Sequence, residues 1–445
     1  MATVAHPRGP RAHFLVGHLP ELSRDQLGFY RRCADEYGEF VPFRLGLRPA
    51  VLLSRPESIE QVLVTQSHDF VKGPLYGVLR PLLGDGLLTS DGDFWRRQRR
   101  LAQPAFHRER IAAYGDVMAQ CAARMVDAWH DGEVRDVHAD MMRLTLQVVA
   151  KTLFDADVTA TATDVGVALE VALEQLQAEL NGVLSLLPPG LPTPGRIRLR
   201  RSVRRLDGIV LGLITERRRT GEDAGDLLSL LMRARDADGG AMSDGQLRDE
   251  AMTLILAGHE TTALALSWAW YLLAQHPEPR ARLEAELDEV LDGRSPGAHD
   301  LPALRYAEMV ALESMRLYPP IAVIGRQAIR DCEVGGHRIA KGTLVALSQW
   351  VMHRDGRYFD DPEAFRPERW ADGLAKRLPR YAYFPFSGGP RLCIGHGFAM
   401  MELVLLLATI ARRFRFALVR EHPVVPHPAL TLRPKHGIRM VLQAR

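Results

Sequence analysis

The sequence predicts a mainly helical protein with small β-sheets, built as a single domain over residues 1–445. Three observations predict it. Ser243-Asp244-Gly245-Gln246 is a capping box that opens a helical pattern running to about Gln275, and Pro277 stops it. A second helical pattern runs from Ile111 to Phe154, interrupted near Asp131-Gly132. Strand signals are short: Phe40 to Leu45, Ala50 to Ser54, and a hairpin turn at Gly335-Gly336 between Asp331-Cys332-Glu333-Val334 and Arg338-Ile339.

Met1 to Gly17 holds prolines at 7 and 10 but no long apolar run, so neither signal peptide nor membrane anchor is expected, and the protein reads as soluble and cytoplasmic. Pro188, Pro189, Gly190, Pro192, Pro194 and Gly195 break the chain between two helical segments. This break is either a domain linker or a mobile lid. The lid reading is preferred, because no hydrophobic core is complete on either side of it. Ala251 to Ala274 is long enough to span a bilayer, yet His259 and Glu260 stand near its middle, where a charge is costly. It reads as a core helix buried all round. At 1.5 Å per residue the whole helical pattern from the capping box to Gln275 is roughly 50 Å long, enough to cross a domain.

A 47% hydrophobic content supplies a sizeable core, and a net charge of +3 gives no ground for a nucleic-acid partner. Four scattered cysteines predict no disulfide framework and a reducing compartment.

One cysteine stands out. Cys393 closes the run Phe386-Ser387-Gly388-Gly389-Pro390-Arg391-Leu392-Cys393-Ile394-Gly395, without the second ligand that zinc or c-type haem attachment needs. Gly388, Gly389 and Gly395 predict close approach of backbone to a flat ligand and positive φ. The apolar run from Phe398 to Ile410 predicts a helix whose N-terminus lies near the sulfur, where amides favour a thiolate. The alternative is a buried structural cysteine in a glycine-rich loop.

Midway along the long helix lies Ala257-Gly258-His259-Glu260-Thr261-Thr262. Gly258 removes a side chain, so a flat ligand can lie against the backbone. Thr261 can bond to a carbonyl one turn back. Glu260 is either a proton relay or the partner of a buried arginine. Glu313-Ser314-Met315-Arg316 sets an acid and a base on one helical face among apolar neighbours. Trp95 and Arg99, four apart, share another face.

The run around Cys393 resembles the haem-binding loop of the cytochrome P450 family, F-x-x-G-x-R-x-C-x-G, at every fixed position. Ala257 to Thr262 resembles the family's A-G-x-[DE]-T-[TS] segment, and Glu313 to Arg316 its E-x-x-R. Phe365-Arg366-Pro367-Glu368-Arg369-Trp370 is similar to its P-E-R-F segment, with Trp370 in place of Phe. The resemblance covers nearly the whole chain. It implies a triangular-prism fold holding haem b between the long central helix and the cysteine loop. It implies that Cys393 ligates the iron, and that Ala257, Gly258, Phe386, Arg391 and Gly395 flank the cofactor. Trp95, Arg99, Arg326 and Arg391 would meet the propionates, with His353 a weaker candidate. Glu260 and Thr261 would manage proton delivery during dioxygen cleavage, and Glu313, Arg316 and Arg369 would form a buried structural triad.

Substrate contacts implied by the same resemblance are Tyr76, Val78, Leu79, Leu82, Leu83, Leu87, Leu88, Leu184, Leu186, Leu187, Ala257, Thr261, Ala322, Val323 and Ile324, of which about half are expected to be ordinary core. These are almost all aliphatic, which suits a fatty acid, terpenoid or similar molecule. The implied activity is a monooxygenase that uses O2. No flavin, nicotinamide or iron–sulfur fingerprint occurs, so electrons must come from another protein of ferredoxin or flavodoxin type. Arg96, Arg97 and Arg100, with Lys376, Arg377 and Arg380, are either a solvated basic face or the docking patch for that donor. A haem-binding sensor or carrier without turnover, or a peroxide-driven haem enzyme, is the alternative; the Glu260-Thr261 pair argues for dioxygen.

Overall fold

The computed structural model describes residues 8–155, 159–181, 193–221, 223 and 225–445. The chain divides into two compact units, one of residues 1–75, 312–393 and 427–432, the other of residues 76–311, 394–426 and 433–445.

The first unit is organised by a five-stranded sheet in the order Phe40–Leu45, Arg48–Leu53, Leu344–Ser348, Val323–Ala328, Phe70–Val71. Phe40 pairs with Leu53 and Leu45 with Arg48 in an antiparallel hairpin, while Ala50 to Leu53 run parallel to Leu344 to Leu347. Alternation sorts the side chains onto two faces. Val51, Leu53, Ile324, Val345 and Leu347 pack with Ile59, Val62 and Phe70. Ala50, Leu52, Val41 and Phe43 pack with Phe29, Tyr30 and Cys33 of the helix Leu19–Tyr37. The glycine hairpin forms as expected: Cys332–Val334 pairs with His337–Ile339, and Gly335 and Gly336 take φ of 59° and 78°.

The second unit is mainly helical. The central helix, Asp244–Gln275, has its capping box in place: Ser243 N–H donates to Gln246 Oε1 at 2.8 Å, and Gln246 N–H to Ser243 Oγ at 3.2 Å. Its neighbours include Val137–Phe154, Pro194–Thr220 and His396–Ala411. The expected interruption near Gly132 is a turn and a short strand, Val134–Asp136, in a three-stranded sheet with Arg439–Ala444 and Phe414–Leu418. Of the proline-rich break, Pro194 and Gly195 start the helix Pro194–Thr220, with the Thr193 side chain accepting from Arg196 N–H. Leu184, Leu186, Leu187 and the remaining prolines lie outside the described residues. Among the described residues, no helix is long and apolar enough to cross a membrane.

Candidate functional site

In the first unit the cysteine loop is held by its own backbone. Ser387 N–H donates to Phe384 O, Leu392 N–H to Gly389 O and Cys393 N–H to Phe386 O, each at 3.0 Å. The roles expected of the three glycines need correction. Gly389 alone has positive φ, +62°, and a Cβ there would lie 1.9 Å from the Leu63 carbonyl oxygen. At Gly388 a Cβ would meet the Tyr381 ring at 2.1 Å, with φ −170°, which is extended backbone. Gly395 has φ −91°, and its Cβ would make an ordinary contact. Protein packing therefore demands the first two glycines, and the third is conformationally ordinary. Cys393 is half-exposed, whereas Cys33 and Cys121 are buried and burial pushes both thiols up, Cys33 to about 12. In chain order the helix His396–Ala411 follows at once, with Gly395, which has no side chain to cap with, at its N-cap.

Arg326 is the informative cation of this unit. It is only 6% exposed and Nη1 donates to its neighbour's carbonyl, Gly325 O, at 2.9 Å. Among the described residues it has no carboxylate partner. A buried guanidinium without an acid needs an anion from elsewhere, so the residues present fit a cofactor that carries carboxylates. Phe386 and Arg391 are half-buried on the same loop. His353 is fully buried, its Nε2 accepts from Phe384 N–H at 2.9 Å, and burial drives it well below 6.5; it is a neutral structural residue.

Glu313 meets Arg316 and Arg369, and two further donors join them. Arg316 donates from Nε and Nη2 to the two Glu313 oxygens at 2.9 Å, and Arg369 Nε donates to Oε1 at 2.9 Å. Arg366 N–H adds a bond of 3.0 Å and Trp370 Nε1–H one of 2.9 Å. The Glu313 and Arg316 side chains are 0% exposed. Trp370 thus carries a donor that Phe in its place would lack.

In the second unit, the central helix is buried along most of its length, but Ala257 is exposed and Gly258 and Thr261 are half-exposed at its middle. These three form a window on one face. Thr261 Oγ1 donates to Ala257 O at 2.6 Å, the expected back-bond. Gly258 has a packing role not foreseen: a Cβ there would meet Val149 Cγ2 of the neighbouring helix at 3.1 Å. Glu260, 2% exposed, is paired with Arg433, whose Nε and Nη2 lie 2.6 and 2.5 Å from Oε1. The buried-arginine alternative is therefore realised. His259 and His138 lie in the same electrostatic surroundings, and burial lowers both to about 4, so both are neutral at ordinary pH. The His259 carbonyl accepts from the Thr145 hydroxyl at 2.9 Å, and His138 Nδ1 lies 3.1 Å from Ser267 Oγ. Glu402, fully buried on His396–Ala411, is pushed by burial up to about 8, with a smaller opposing effect from the Thr262 hydroxyl.

Trp95 is buried and Arg99 half-buried on the helix Gly92–Ala102. Leu87 is buried, its N–H donating to Glu250 Oε2 at 3.0 Å, while Leu88 and Tyr76 are half-exposed. Of the aliphatic candidates after Pro320, Ile324 must be corrected. Its side chain is part of the core with Val51, Leu53 and Phe70, on the same strand face as Arg326. Ala322 packs with Leu27 and Leu432, and Val323 lies half-buried against the same cluster. The basic run also changes. Arg97 Nε is bound to Asp236 at 2.7 Å, and Arg96 Nη2 to Asp93 at 2.5 Å. Their charge is engaged within the second unit. Arg100 stays exposed there, and Lys376 and Arg377 stay exposed on the first unit, where Arg380 meets Glu60 at 3.2 Å.

Three residues that sequence reasoning missed carry chemistry here: Arg433, Trp370 as a donor, and Glu402. The first two meet their carboxylates from far along the chain, so no spacing signals them. Glu402 sits in an apolar run, and a lone acid there was its only signal.

The family model described as "Cytochrome P450" matches residues 7–440. The chain is 39% identical over 443 residues to "Cyclooctatin synthase" of Streptomyces melanosporofaciens, covering 99% of this chain and 96% of that one. It is 40% identical over 403 residues to "Cyclooctat-9-en-7-ol 5-monooxygenase" of the same organism, covering 90% and 87%. It is 35% identical over 442 residues to "Pentalenene oxygenase" of Streptomyces avermitilis, covering 98% and 97%.

Proposed function

We propose, from the premise that this chain belongs to the cytochrome P450 family, that it oxygenates a polycyclic terpenoid hydrocarbon or alcohol. The protein is a haem-iron monooxygenase that takes O2, an apolar substrate and electrons from a separate redox partner. The finer reading is haem b, a ferredoxin- or flavodoxin-type donor, a cytoplasmic location and one catalytic domain. The family match over residues 7–440 supports the last of these.

The window of Ala257, Gly258 and Thr261 at the middle of a mostly buried helix carries the proposal. It offers one hydroxyl and almost no other polarity where an apolar molecule would lie. Bound haem supplies dioxygen activation and transfer of one oxygen atom to a C–H or C=C bond, the other atom leaving as water. Cys393 would hold the iron as a thiolate. Arg326, with Trp95, Arg99 and Arg391, would neutralise the cofactor's carboxylates. Thr261 would present its hydroxyl at the window. Its present acceptor, Ala257 O, is a local one that it can exchange. Glu260 would pass protons inward, which requires it to trade its contact with Arg433 for one with water or substrate-side oxygen. Tyr76, Leu87, Leu88, Ala322 and Val323 would furnish apolar contacts.

Optical titration of the ferric protein with cyclic diterpenes and sesquiterpenes, followed by turnover under 18O2, tests the reading. A saturable shift of the haem band to shorter wavelength and one labelled oxygen in the product are expected. Binding with no O2-dependent product would make the protein a haem carrier instead.

A further inference from the structure

The helix Pro194–Thr220 buries one stripe, Leu199, Leu206, Val210 and Ile214, and turns the opposite face to solvent. Its first turns read Arg196-Ile197-Arg198-Leu199-Arg200-Arg201-Ser202-Val203-Arg204-Arg205, six arginines in ten residues with no acid. At about 100° per residue, Ile197, Arg201, Arg204, Gly208 and Leu211 fall close to one line, opposite the buried stripe, with Arg198, Arg200 and Arg205 beside it. Arg198, Arg200, Arg201, Arg204 and Arg205 are all exposed.

Three acids on or beside this helix, Asp207, Glu216 and Asp244, are already engaged. Asp207 accepts from Arg248 Nε at 2.7 Å, Glu216 from Arg219 Nη2 at 2.6 Å, and Asp244 lies 2.6 Å from Arg218 Nη2. Arg198, Arg200, Arg201 and Arg204 meet no carboxylate among the described residues. Like charges one turn apart repel, so the bare face is a cost unless an anionic surface covers it.

Two features choose the partner. Guanidinium forks match phosphate oxygens in pairs. Ile197 and Leu211, each 39% exposed, stand in line with the charges, and aliphatic side chains gain by entering an acyl boundary. An acidic protein would explain the arginines and leave these two unexplained.

We propose that this face docks on an anionic phospholipid surface, where a water-insoluble substrate would be concentrated. The choice of lipid over protein rests on the apolar-substrate reading above, but the docking is measurable without turnover. The Arg198→Glu/Arg201→Glu/Arg204→Glu protein, and its milder Gln counterpart, change only exposed side chains, and an unaltered haem spectrum checks folding. Co-sedimentation would use vesicles of phosphatidylglycerol and phosphatidylcholine, against phosphatidylcholine alone. Salt-sensitive binding to the anionic vesicles is expected, weaker by roughly 100-fold in the Gln variant and by more in the Glu variant. Equal binding to both vesicle types, unchanged binding by the Glu variant, or no binding to anionic vesicles would overturn the proposal. If the Glu variant were instead reduced more slowly by its electron donor, with no vesicle binding by either protein, the face would belong to that carrier.

Discussion

Glu313 and Glu260 are both buried carboxylates paired with arginine, and they differ in how far their partners reach solvent. Glu313 accepts from two guanidinium groups, an indole and a backbone amide. Arg316 is in turn committed to the carbonyls of His353, Pro362 and Ala364, and its side chain is 0% exposed. Glu260 is also buried, but the Arg433 side chain that grips it is 21% exposed. The first pair has no route to exchange partners without opening the core. In the second, water can take over one end of the pair. Similar ion pairs thus differ: one is a fixed joint, and the other leaves Glu260 able to exchange its partner, as the proposed proton relay would require.

The largest expected effect tests the fixed joint. Glu313→Ala strands buried guanidinium groups at a cost of about 3–5 kcal/mol, and haem-poor or insoluble protein should result. Glu260→Gln should fold and load haem normally, because Arg433 can be hydrated. Equal losses of haem in the two variants would break the comparison.

A smaller effect tests the exchangeable pair. Arg433→Gln should lower product formed per electron pair, while Arg433→Lys, which keeps the charge, should recover most of it. Substrate affinity by optical titration should be the same in both. If Arg433→Gln is as well coupled as the parent protein, Arg433 does not position Glu260.

The smallest effect is on pH. Burial lowers His138 and His259 to about 4 from 6.5, and drives His353 well below 6.5. These imidazoles take up protons in the unfolded chain first. Their contribution is therefore fully present above about pH 6.5 and is lost as pH falls toward 4. The melting temperature should fall across that window, and less steeply in His259→Asn. A flat profile would show that these rings are better hydrated than their burial implies.

Much of the site was legible because its parts are contiguous. The Cys393 loop, the Ala257 to Thr262 segment and Glu313 to Arg316 each announce themselves within ten residues. What was not legible depends on partners brought from elsewhere. Gly388, Gly389 and Gly258 look like ligand-approach glycines until Tyr381, Leu63 and Val149 are seen to occupy the space of their Cβ atoms. Arg97 looks free until Asp236 meets it. Ile324 looks like a pocket residue because the sequence does not say which parity of its strand faces the core. Arg433 gave no signal at all, since nothing near it in the chain is acidic.

The central claim is that Thr261, at the window of the central helix, directs protons in dioxygen cleavage. The most direct measurement is product formed per electron pair consumed by Thr261→Ala, with a substrate that saturates the optical titration. Normal haem content, normal substrate affinity, continued electron consumption and a sharp fall in product, with peroxide released, are predicted. Undiminished coupling in that variant would contradict the account.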